Sequence, residues 1–107
     1  MEYYKLTVYE TAKADMRDAV TYVSKTLREP ETARSLLQRF RETVLSLALM
    51  PERFGLVSDR YLAALGLRMA PVGNYLIFYT VDISTRRVDV VRVLYGRRDW
   101  MQILKDQ

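Results

Sequence analysis

From Asn74 to Val81 the chain reads NYLIFYTV, with apolar or aromatic side chains on both parities. Leu76 and Phe78 fall on one side, and Tyr75, Ile77, Tyr79 and Val81 on the other. Successive side chains of a strand point to opposite faces, so a strand with one wet face alternates apolar with polar residues. This stretch does not alternate, and the expectation is a central strand covered on both sides. The rest of the chain has to supply one cover, and a partner is the candidate for the other. The surrounding sequence predicts three strands, Leu67–Ala70, Asn74–Asp82 and Arg87–Leu94. Pro71-Val72-Gly73-Asn74 and Asp82-Ile83-Ser84-Thr85-Arg86 supply the turns between them. Connections this short make antiparallel neighbours the default.

The N-terminal half provides the first cover. Tyr4, Leu6 and Val8 alternate with Lys5 and Thr7, the pattern of a half-buried strand. Thr11 then stands where a helix N-cap belongs, and Asp15 favours the helix dipole. Met16, Ala19, Val20, Val23 and Leu27 step by three and four, which predicts one apolar stripe on a helix from Ala12 to about Leu27. Pro30 ends that helix near Arg28–Glu29 and starts the next. Ala33, Leu37, Phe40, Val44 and Leu47, widened by Leu36, form the second seam. So short a link between amphipathic helices predicts an antiparallel hairpin. Residues 51–66 are the least regular, with a short helical turn or an irregular connector over Asp59–Leu65. Gly96 breaks the last strand, and Arg97–Lys105 is read as a terminal helical turn. The prediction is one α+β domain over residues 1–107, a helical hairpin packed on a mainly antiparallel four-stranded sheet, in the order β-α-α-β-β-β.

Composition removes whole classes of chemistry. The 107 residues contain neither cysteine nor histidine. That excludes a Ser-His-Asp triad, a cysteine nucleophile and an ordinary zinc site, and neither metal nor cofactor is expected. A general acid or base has to be a carboxylate, Lys, Tyr or an unusual Arg. The net charge of +4, carried mainly by arginine, permits an acidic protein or a nucleic acid as partner. Neither a signal peptide nor a membrane span is read, and the expected location is the cytoplasm.

Two sets of side chains are candidates for function. Arg68, Arg92, Arg97 and Arg98, with Lys105, sit on or just past strands, where guanidinium groups can fork onto phosphate or carboxylate. Arg92 stands out because it interrupts the apolar run Val88-Asp89-Val90-Val91-Arg92-Val93-Leu94. The plainer alternative is that these arginines snorkel and pair with acids such as Asp89 or Asp99. The second set is aromatic: Tyr75, Tyr79, Tyr95 and Trp100 are expected to be exposed, and they suit a binding surface because they offer area with few rotors. Tyr4 and Tyr22 are read as packing residues, and Trp100 could equally dock on the domain's own core. Asp15 with Asp18, and Glu29 with Glu31, read as solvated helix charges, and no phosphate-cradling glycine loop is present.

The sequences LALMPERFG, GLRMAPVGNYLIFYTVD and above all VVRVLYGRRDW resemble the RelE/ParE superfamily of bacterial type II toxins. The resemblance spans nearly the whole chain. It implies a cognate antitoxin whose C-terminal segment wraps the toxin, in a hetero-oligomer. RelE-like members cut messenger RNA in the ribosome, whereas ParE-like members poison DNA gyrase. Laid on this chain, the RelE pattern keeps basic residues at Arg97 and Arg98, finds Leu76 where an arginine is expected, and has Leu104 near the place of the C-terminal tyrosine. The ending YGRRD looks like the ParE branch, so gyrase poisoning is the preferred expectation. Tyr75, Tyr79, Arg92, Tyr95, Arg97, Arg98 and Trp100 are then the expected antitoxin- or gyrase-binding residues, with no catalytic residue. An mRNA endonuclease using Arg68, Arg92, Tyr95 and Arg98 is the alternative, and a non-toxic binding module of the same shape is a second.

Overall fold

Alternation builds the first strand and periodicity the first two helices. The computed structural model describes residues 3–106. Strand β1 (Lys5–Val8) leads into α1 (Glu10–Thr21), whose last turn widens into a π-helical segment, Tyr22–Thr26. Thr11 does not cap α1: Tyr9 holds the N-cap position, and the Thr11 hydroxyl instead donates to the Val91 carbonyl at 3.0 Å. The chain reverses at Arg28, left-handed at φ 55°, where the Glu29 N–H closes on the Val23 carbonyl. Helix α2 (Pro30–Ser46) starts with its proline in the first turn, where the missing N–H costs nothing.

Residues 51–66 are more ordered than their composition implies. Asp59 caps a short helix, α3 (Arg60–Ala64), by accepting from the Leu62 N–H at 3.0 Å. Strands β2 (Arg68–Val72), β3 (Tyr75–Asp82) and β4 (Arg87–Tyr95) follow, then α4 (Trp100–Lys105) with Asp99 as its cap. The sheet order is β1-β4-β3-β2, with β1 parallel to β4 and the other pairs antiparallel. Pro71 lies inside β2, as an edge strand allows. The free edge of β2 is shielded in turn by residues 55–57, through Val57 N–H to Leu67 O and Met69 N–H to Gly55 O.

The central strand is covered on both sides, as its two apolar parities require. Ile77 and Tyr79 face a core built with Ala12, Ala19, Val23, Leu36, Phe40 and Val44 from the helices and Leu47 just past α2. Phe78 faces a second cluster with Val57, Leu62, Leu67 and Leu94, onto which Trp100, Ile103 and Leu104 pack. This corrects the expectation that a partner supplies the second cover. The chain closes that face itself, with α3 and α4, and Lys105 donates to the carboxylate of Asp59 at 2.9 Å to tie the two helices together.

Candidate functional site

The candidate residues have very different surroundings. Tyr79 is not exposed: it is wholly buried, and its hydroxyl donates to the Pro51 carbonyl at 2.7 Å. Trp100 lies on Phe78 with ring centroids 5.2 Å apart, so it docks on the chain's own core. Arg68 donates to the Phe54 carbonyl at 2.7 Å and lies 3.5 Å from the Glu52 carboxylate.

Arg92 is explained by a bulge. Beyond Val90, β4 has run past the end of β1, and the register with β3 slips between Phe78 and Tyr79. The exposed ladder edge is met by α1: Asp15 accepts from Arg92 Nε and NH2 at 2.7 and 3.0 Å and from the Val93 N–H at 2.9 Å. Both side chains are only 16% exposed. Asp15 is therefore not a solvated helix charge, and Arg92 is held by an acid of its own chain rather than offered to a partner. A forked pair of this kind fixes geometry as well as charge.

What stays accessible gathers at one end of the sheet. Tyr75 and Tyr95 are cross-strand partners, half-buried, with edge-to-face rings 5.6 Å apart. Tyr75 also meets Phe40 edge-on at 5.7 Å. Burial pushes the Tyr75 phenol above its ordinary pKa, and the neighbouring Tyr95 and Tyr22 add to the shift, so the group is a neutral donor at pH 7. Arg98 lines a small depression with Tyr75, Tyr95 and Asp18. Arg97 and Arg98 are exposed and make no ion pair among the described residues. Of the nuclease candidates, then, Tyr95 and Arg98 come together, whereas Arg68 and Arg92 are engaged elsewhere.

A second feature lies on the helical side, where sequence periodicity read only core. An open groove of about 530 Å³ runs between α1, α2 and β1. Its floor is Leu6, Val8, Met16, Val20, Leu37 and Val44, and its rim carries Lys13, Arg17 and Arg41. Leu45 stands beside it 67% exposed. The two stripes are wider than the sheet needs, and the surplus forms this groove. Leu36 and Leu37 in adjacent positions, together with Leu45 off the stripe, were the available signal.

Comparison with known proteins agrees with this architecture. A family model described as ParE toxin of type II toxin–antitoxin system, parDE, matches residues 6–100. The fold is similar to that in the chromosomal ParDE system from P. aeruginosa, with TM-score 0.68 and 18% identity over 86% of this chain and 95% of that chain. It is also similar to the RelBE2 toxin–antitoxin complex from Mycobacterium tuberculosis, with TM-score 0.61 and 19% identity over 87% and 98% of the two chains. The intact E. coli RelBE complex gives TM-score 0.58 and 15% identity over 89% and 99%. No curated protein sequence matches at a significant level.

Proposed function

Because the chain belongs to the ParE toxin family of type II toxin–antitoxin systems, we propose that it poisons DNA gyrase and is silenced by an antitoxin lying along the α1–α2 groove. The observation that carries the choice of target is the Asp15–Arg92 fork. Cleavage of RNA by a protein without histidine needs its arginines free to hold and polarise phosphate. Here Arg92 turns its Nε–Nη2 edge, the one that forks onto an anion, to Asp15, and Arg68 is tied to Phe54 and Glu52. Tyr95, Arg97 and Arg98 remain as a basic, aromatic rim for a protein target.

The antitoxin reading draws support from similar structures that are toxin–antitoxin complexes. It also fits the groove: an apolar floor flanked by Lys13, Arg17 and Arg41 suits an amphipathic segment with acidic flanks. The sheet face behind α3 and α4 is not part of this surface, because the chain's own side chains fill it.

The test is direct. Purified toxin added to gyrase, DNA and ATP is expected to accumulate covalent cleaved complexes, and adding the antitoxin is expected to abolish them. Site-specific message cleavage in a translating ribosome extract, without effect on gyrase, would overturn the assignment of target. Harmless induced expression in the absence of the antitoxin would overturn toxicity itself.

A further inference from the structure

A further depression shares Tyr95 with the rim described above but otherwise lies apart from it. It lies where the π-helical segment, the N-terminal half of α2 and the β2–β3 turn meet, and has a volume of about 590 Å³. That is in the range of small-molecule sites. Tyr22, Tyr75 and Tyr95 line it, and Tyr22 is 51% exposed.

The polar groups are set at its two ends. Arg39 reaches over the β2–β3 turn, where Gly73 is left-handed at φ 57°; a Cβ there would stand 3.3 Å from the guanidinium. Glycine thus lets the arginine lie against the turn. Arg39 makes no ion pair among the described residues. Glu29 marks the opposite end, ten positions earlier along α2, about 15 Å away at the helical rise. Ser35, on α2 between them, and Asn74, next to Gly73, add hydrogen-bonding groups. The wall above is irregular: a π-helical turn followed by Arg28 in a left-handed conformation. Such backbone features gather at binding sites.

We propose that this depression binds a nucleoside phosphate, with the base on the tyrosine wall and the phosphate on Arg39. The half-exposed Tyr22 ring takes a planar base of any identity, with Tyr75 and Tyr95 beside it. The free guanidinium matches a phosphate in a fork, and the exposed backbone of Gly73 leaves room for it. Glu29 repels phosphate from its own end and accepts hydrogen bonds from sugar hydroxyls or a base amino group, which fixes the ligand's direction. An apolar ligand would leave the Arg39 guanidinium unmatched, and a bare anion would leave the exposed Tyr22 ring unused.

Calorimetric titration of the chain, residues 1–107, with adenosine monophosphate, adenosine and inorganic phosphate tests this independently of the gyrase assay. The monophosphate is expected to bind saturably and more tightly than either fragment. Arg39→Ala is expected to weaken the monophosphate about tenfold while leaving adenosine unchanged. Tyr22→Ala is expected to weaken monophosphate and adenosine about equally. Both positions are exposed, so an unchanged thermal midpoint separates loss of ligand from loss of fold. Competition by a short 5′-phosphorylated oligonucleotide identifies a strand end as the source of the unit, and its absence identifies a free nucleotide. No saturable binding at millimolar monophosphate, or equal affinity in Arg39→Ala, overturns the proposal.

Discussion

At Tyr79 a phenol ring is wholly out of solvent, and its hydroxyl is tolerated there because the Pro51 carbonyl accepts from it at 2.7 Å. Tyr79→Phe keeps the ring and orphans the carbonyl, which is expected to cost about 1–2 kcal/mol in urea unfolding. Burial is the main cause that pushes this phenol above its ordinary pKa, against an opposing pull from Arg68. The sign follows: the unfolded chain ionises first, near pH 10. The contribution of Tyr79 is therefore complete below that pH and is lost as pH rises through the folded value. Wild-type stability should fall more steeply above about pH 10 than that of Tyr79→Phe; parallel curves would show that another group dominates. The sequence marked Tyr79 by its type but not by its depth, because a tyrosine on a doubly covered strand has the same pattern whether its hydroxyl meets water or a carbonyl. Arg92 is similar. Its interruption of an apolar run was readable, but its acid lies 77 positions away on a helix, and nothing local in the chain pairs the two.

Among the elements, the two long helices were readable from their seams, and the departures all occur where local rules meet tertiary demands. Thr11 fits the N-cap pattern, yet its hydroxyl is drawn to the Val91 carbonyl, since β4 extends past β1 and leaves that edge unpaired. The short helices α3 and α4 fall where helical turns were read, over Asp59–Leu65 and Arg97–Lys105, but their role in covering the sheet was not legible: they form because Leu62, Trp100, Ile103 and Leu104 can bury against Phe78 and Leu94. The π-helical end of α1 has no sequence mark at all. It places Val23 on the core and sends the chain through Arg28, whose φ of 55° disfavours a side chain with a Cβ. Glycine is free of that penalty but brings more unfolded-state entropy. Arg28→Gly is accordingly expected to stabilise the protein by roughly 0.5–1 kcal/mol, read from the urea midpoint at unchanged slope. A loss of stability would mean that the Arg28 side chain contributes more than its backbone costs.

At the scale of the molecule the two faces of the sheet are treated unequally. The chain finishes one with its own last helix and leaves the helical side with an apolar groove and a basic rim. The doubled apolar pattern of β3 was therefore a sound guide to a covered strand and a poor guide to the open surface, because strand parity counts covers without saying which chain provides them. The open surface follows from the helices, whose stripes are wider than one sheet face can bury. If an acidic, amphipathic antitoxin lies there, two signatures separate. Leu45→Glu removes one leucine's burial and sets a carboxylate among the antitoxin's own acids, so affinity should fall at least tenfold while the fold is kept, Leu45 being 67% exposed. Arg17→Glu and Arg41→Glu act on the rim instead, and should slow association and flatten its dependence on salt, because steering by exposed charge is screened within about 10 Å at 0.1 M. Surface plasmon resonance at two ionic strengths reads both. Unchanged binding by Leu45→Glu, with loss on mutating Arg97 and Arg98 instead, would move the antitoxin to the sheet end and leave the groove to another partner.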